Sequence, residues 1–162
     1  MIEPIRLAFE VACGVDHAFA TWTERTSTWW PASHTVSAAT DLKITFEPRV
    51  GGRIYERAPG GDEHDWGEIT AWEPPRRLGY LWYLRADRAD ATDVEITFVP
   101  VADGRTRVEI EHRGWERLGA AGEERRDRNQ GGWAGLLPHF IEAANEPMKD
   151  GTLPTSTIGG DQ

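Results

Sequence analysis

Residues Val94–His112 read VEITFVPVADGRTRVEIEH, and the reading of this stretch decides the fold. Val94, Ile96 and Phe98 alternate with polar residues, Asp103-Gly104 follows, and Thr106, Val108, Ile110 and His112 alternate in turn. Side chains of a strand point to opposite faces by turns, so each half is a strand with one apolar face. An Asp-Gly pair accepts the positive φ of a tight turn, so the two halves form an antiparallel hairpin.

Toward the N-terminus the pattern repeats. Leu78, Tyr80, Trp82 and Leu84 share one face of a strand over residues 76–85, and Pro74-Pro75 marks the turn before it. A strand over 64–73 precedes that turn, Pro59-Gly60-Gly61-Asp62 has the composition of a hairpin tip, and Gly51-Gly52 leads into a strand over 53–57. Leu42, Ile44 and Phe46 alternate ahead of Pro48. Ile69 and Trp72 are both core candidates three residues apart, which period two cannot put on one face, so a β-bulge is expected near Thr70-Ala71. Ile5, Leu7, Phe9 and Val11 make a first strand within residues 2–12. After Gly14, Asp16 stands as the expected N-cap of a short helix carrying Ala18, Phe19 and Trp22, and a second over 26–30 is closed by Pro31. Residues 32–40 and 86–91 are expected as loops.

Toward the C-terminus, Trp133, Leu136, Leu137, Phe140, Ile141 and Ala144 recur at helical spacing and give an apolar stripe to lay on the sheet. Pro138 lies inside the stripe and is expected to remove one hydrogen bond and kink the helix. The order is strand, one or two short helices, six strands, one long helix. This is an α+β domain over residues 1–145, a curved seven-stranded antiparallel sheet wrapped round the long C-terminal helix. Residues 146–162, rich in Gly, Pro, Thr and Ser, are expected as a flexible tail.

Composition narrows the function. With 27 acidic and 18 basic residues the net charge is −9, which opposes binding to phosphate backbones. The densest basic cluster, Arg125, Arg126 and Arg128, is offset by Glu123, Glu124 and Asp127. No apolar run suits a membrane span or a signal peptide, and Cys13 is the only cysteine, so a cytoplasmic protein without an internal disulfide is expected. His17, His34, His64, His112 and His139 are scattered without metal-ligand spacing, and no GxSxG elbow or nucleotide-binding fingerprint occurs. No metal, no cofactor and no catalytic residue is assigned.

Eight tryptophans in 162 residues are the unusual feature. Single Trp residues usually pack cores, but stiff amphipathic rings in this number also suit a cavity wall. The candidate ligand-binding residues are Trp29, Trp30, Tyr55, Trp66, Tyr80, Trp82, His112, Trp133 and Leu137. His112 continues an inward face, against the plain reading of a strand-end histidine reaching solvent. His34 could sit at a cavity mouth rather than in an ordinary loop. Glu68 shares a face with Trp66 if period two holds, and a solvated outer face is the competing reading.

Several local patterns carry a family resemblance: Val15-Asp16-His17-Ala18-Phe19-Ala20-Thr21-Trp22, Trp29-Trp30-Pro31, Val50-Gly51-Gly52-Arg53, Gly67-Glu68-Ile69, Trp72-Glu73-Pro74-Pro75-Arg76-Arg77-Leu78 and Gly131-Gly132-Trp133-Ala134-Gly135-Leu136-Leu137. In order and spacing the chain resembles the START-related helix-grip superfamily, also called SRPBCC. Within it, the chain is most similar to the branch named for the C-terminal domain of the heat-shock-protein-90 ATPase activator. The resemblance implies a cavity between sheet and last helix and leaves the chemistry open. The expected function is binding of an apolar or aromatic small molecule there. The alternatives are a protein-interaction module with a chaperone partner, and a cyclase- or hydrolase-type enzyme using an inward His or Glu. A homodimer is also compatible with the sequence.

Overall fold

The computed structural model describes residues 2–146. The expected tail therefore lies, from residue 147 on, outside the described residues. Seven strands, β1 (Ile5–Val11), β2 (Lys43–Phe46), β3 (Arg53–Arg57), β4 (Glu63–Glu73), β5 (Arg77–Trp82), β6 (Thr92–Ala102) and β7 (Arg105–Arg113), form one antiparallel sheet in the order β1-β7-β6-β5-β4-β3-β2. Two helices, α1 (Val15–Thr23) and α2 (Thr26–Trp29), bridge the two edge strands, and α3 (Gly122–Asn145) closes the chain. The architecture is the expected helix grip.

Period two on β5, β6 and β7 sets the inner face. Leu78 and Tyr80, Val94, Ile96 and Phe98, and Val108, Ile110 and His112 are all buried, while Glu95, Thr97, Glu109 and Glu111 lie on the other face. Strand β4 departs from this pattern twice. Its pairing with β5 runs Ile69↔Tyr80 and then Ala71↔Gly79, so Thr70 is the extra residue of a bulge at the expected place. That insertion lets Ile69 and Trp72 share the inner face, where Trp72 packs edge-on against Phe19 with ring centroids 5.2 Å apart. A second bulge, not expected, leaves Trp66 unpaired between Ile54↔Gly67 and Tyr55↔Asp65. It turns Trp66 fully inward and Glu68 outward, where Glu68 accepts a hydrogen bond from Arg88 at 2.6 Å. Period two fails there, so Trp66 and Glu68 do not share a face.

Helix α1 is capped at Gly14, with Asp16 in its first turn rather than at the cap. The acid still faces the positive end of the helix. Within the two expected loops, residues 32–34 and 88–90 form single 3-10 turns. A further 3-10 turn over Trp115–Ala121, unanticipated from the sequence, leads into α3.

Helix α3 starts eleven residues ahead of its apolar stripe and continues through Pro138. It is fastened to β1 at both ends. Near its start Arg126 donates to the backbone oxygens of Glu3 (2.6 Å) and Pro4 (3.2 Å), and near its end Asn145 Oδ1 accepts from the Ala12 amide at 2.7 Å. Between these ties, Trp133, Leu136, Leu137, Phe140 and Ala144 are buried against the sheet and α1.

Gly67 sits in the second bulge, where an added Cβ would lie 2.1 Å from the Leu81 carbonyl oxygen. Gly67→Ala is therefore expected to destabilise the fold by about 2–4 kcal/mol, because overpacked backbone cannot yield as a side-chain tip would. Gly60→Ala, at a hairpin position with nothing within 4 Å of the new Cβ, should stay within about 0.5 kcal/mol. Urea unfolding of the two variants checks the contrast.

Candidate functional site

A cavity of about 360 Å³ opens between the end of β5, the loop after α2, the start of β6 and one face of α3. Its apolar wall is Trp30, Trp82, Leu84, Trp133 and Leu136, and its polar side is Ser33, His34, Arg85, Thr92, Arg125, Arg128 and Asn129. This volume lies in the range of about 300–1,000 Å³ in which proteins hold small organic molecules.

Each tryptophan of the wall is set by a different element. Trp30 is the C-cap that follows α2, just before Pro31, and its indole N–H donates to the His34 carbonyl at 2.9 Å. Trp82 ends β5 and lies 6.0 Å from Trp30 between ring centroids. Trp133 comes from α3, and its indole N–H donates to His112 Nδ1 at 3.0 Å. Behind them a continuous set of rings fills the core. Trp66 packs on Trp30 at 4.9 Å, Tyr80 on Trp82 at 5.6 Å, and Trp29 on Trp30 at 5.3 Å.

The nine residues anticipated from the sequence thus separate into three groups. Trp30, Trp82 and Trp133 line the cavity. Trp29, Trp66, Tyr80 and Leu137 are buried behind it, and His112 is buried behind Trp133 and Thr92. Tyr55 lies on the opposite face of the sheet, with the Arg53 guanidinium 4.0 Å above its ring. Strand parity explains the correction: Ile54 and Glu56 take the inner positions of β3, leaving Tyr55 outside.

His112 has no exposure, and both ring nitrogens are engaged, Nδ1 by Trp133 and Nε2 by the Thr92 hydroxyl at 2.7 Å. Burial pushes its pKa down to about 3, so the imidazole is neutral throughout the physiological range. Cys13, half-buried, has its thiol pushed up to about 11 by burial, which suppresses the reactive thiolate.

The polar side rests on a buried carboxylate that sequence patterning did not single out. Glu56 accepts from Trp66 Nε1 (2.7 Å) and from the amides of Val36 (2.7 Å) and Ser37 (2.9 Å). Burial acts to raise its pKa, but these donors outweigh it and hold the carboxyl below its ordinary range. The loop so fixed presents the Thr35 and Ser33 carbonyls to Arg85, whose Nε donates to Thr35 at 2.9 Å. Arg85 has a φ of 61°, a left-handed conformation that costs a non-glycine residue about 1–2 kcal/mol and is retained here by those bonds. His34 ties the same loop to α3, with Nε2 3.2 Å from the Gly132 oxygen.

Arg125, Arg128, Asn129 and Gly132 were not anticipated as site residues either. Their spacing extends the stripe of Trp133, Leu136, Leu137 and Phe140 about two turns backwards, in a segment whose charges conceal its periodicity. Arg128 lies 3.5 Å from Glu124, and Asn129 donates to the Arg125 carbonyl at 2.9 Å.

The sequence profile of the family described as Activator of Hsp90 ATPase homolog 1-like protein matches residues 12–145. The chain belongs to this family. Among solved structures, an anthrahydroquino-γ-pyrone synthase is 32% identical over 88% of this chain and 97% of its own, with a TM-score of 0.61. CalC, a self-sacrificing resistance protein from Micromonospora echinospora, is 28% identical over 87% of this chain and 93% of its own, with a TM-score of 0.67. An HSP90 activator from Plasmodium falciparum, 19% identical over 86% of this chain and 93% of its own at a TM-score of 0.62, shares the fold. No curated protein sequence matches the chain. The solved structures that share this fold are thus described by very different activities. No helix among the described residues is long and apolar enough to cross a membrane.

The neutral, buried His112 makes stability depend on pH. Its pKa is about 6.5 in the unfolded chain and about 3 in the folded one, so the unfolded state binds the extra proton between those values. Stability is complete above about pH 6.5 and falls as pH drops through this window. Urea unfolding at pH 5 should show a loss of about 2 kcal/mol relative to pH 7.5. His112→Asn, less stable at neutral pH, should flatten that difference.

Proposed function

We propose that the protein binds a planar aromatic small molecule in the cavity between β5, β6 and α3, with an acidic or oxygen-rich edge turned toward Arg125, Arg128 and Asn129. The observation that carries this reading is the pairing of a three-tryptophan wall with a cationic side across one opening. Indole faces stack on flat rings, while guanidinium groups bind carboxylate or phenolate oxygens. Arg85 and Arg125 also border a more open groove that contains Asp87 and Asp90. The most identical of the solved structures described above is an anthrahydroquino-γ-pyrone synthase, whose name denotes a fused-ring product and supports an aromatic ligand here.

A second reading, an enzyme of the cyclase type, draws on His34. Its Nδ1 lies 3.1 Å from the Ser33 hydroxyl and its ring borders the cavity. Incubation of the protein with a bound aromatic ketone followed by mass spectrometry separates the readings: ligand recovered unchanged removes the enzymatic one. A chaperone-directed role draws on the family's description alone.

The binding reading predicts saturable change in tryptophan emission when aromatic acids of two or three rings are added at micromolar concentration. Trp82→Ala should weaken binding at least tenfold, through lost stacking area. Arg125→Gln should weaken an aromatic carboxylate about three- to tenfold while leaving its neutral amide within about twofold. A flat emission across the panel from folded protein would overturn the reading.

A further inference from the structure

We infer that the Thr92 hydroxyl is a hydrogen-bond donor aimed into the cavity, and that it selects ligands carrying a carbonyl or ionised phenol oxygen. This inference rests on the small-molecule reading above and specifies which aromatic the cavity favours.

The direction of the hydrogen bonds fixes the donor. An indole N–H can only donate, so the 3.0 Å contact from Trp133 Nε1 makes His112 Nδ1 an acceptor. A neutral imidazole with Nδ1 accepting carries its proton on Nε2. Nε2 lies 2.7 Å from Thr92 Oγ1, so it donates to that oxygen. The hydroxyl proton of Thr92 cannot point back at the N–H that donates to it and must seek another acceptor. No other hydrogen bond of this hydroxyl occurs among the described residues. Thr92 is 3% exposed and is one of the residues that border the cavity.

Position reinforces direction. Thr92 opens β6 and pairs across the sheet with Trp82, so its side chain stands on the inner face beside that ring. Trp133, on the far side of His112, is a second ring of the three-tryptophan wall. A flat molecule resting against the two indoles brings an edge to the hydroxyl. An acceptor oxygen on that edge completes the series Trp133, His112, Thr92, ligand, and a C–H edge leaves a buried donor without a partner.

Anthraquinone-2-carboxylate and anthracene-2-carboxylate share ring number and acid group and differ in the two carbonyls. By tryptophan quenching, the unaltered protein and Thr92→Ser should bind the quinone about tenfold more tightly than the anthracene. Thr92→Val and Thr92→Ala should reduce that ratio to about two or less and hold the anthracene within about threefold, which also reports an intact cavity. Equal affinities in the unaltered protein, or a ratio that survives in Thr92→Val, would overturn the inference and leave the binding reading standing. Failure of both compounds to bind the unaltered protein would overturn the two together.

Discussion

Three side chains from three elements meet at His112, and the site depends on that meeting. Trp133 on α3 donates to the imidazole, the imidazole reaches Thr92 at the start of β6, and Trp115 from the turn before α3 packs on the ring with centroids 4.3 Å apart while donating to the His112 carbonyl at 3.0 Å. A buried imidazole without partners would cost about 1–3 kcal/mol, so the sequence that places His112 inward also has to supply these donors and acceptors. The consequence is geometric. The last helix is held not only by apolar packing, which tolerates sliding, but by a directional bond that sets the rotation of the Trp133 ring and hence the shape of the cavity wall.

The sheet was legible because its strands alternate cleanly. Residues 94–112 imposed a hairpin, the repeats before them imposed a meander, and the Ile69/Trp72 conflict could only be resolved by a bulge. The Trp66 bulge had no such signal, because Trp66, Gly67 and Glu68 form no impossible pair of core residues. Its presence became visible only through the register of β3, and it moved Glu68 out and Trp66 in. The early start of α3 was concealed for a different reason. Residues 122–132 are almost wholly charged or small, and hydrophobic periodicity cannot mark a helix that has no apolar face there.

The tryptophan count identified the right material and could not divide it between core and cavity. Trp22, Trp29 and Trp66 sit in the same ring network as Trp30, Trp82 and Trp133, and no spacing rule separates a ring that fills space from one that borders it. The polar side was less legible still. Arg85 acts through a left-handed backbone, Glu56 through the amides of a distant loop, and Thr92 through a histidine twenty residues away. Such roles arise from tertiary partners, and patterning along a chain carries no record of them.

The central claim is that three particular indoles border a ligand and the others do not. Nitrogen-15 labelling of tryptophan, with indole N–H resonances assigned by substitution, tests it directly during titration with anthraquinone-2-carboxylate. Saturable shifts at Trp30, Trp82 and Trp133, with Trp22, Trp29, Trp66, Trp72 and Trp115 holding their positions, are the predicted result. Shifts confined to Trp22, Trp29, Trp66, Trp72 and Trp115, or spread evenly over all eight, would contradict it.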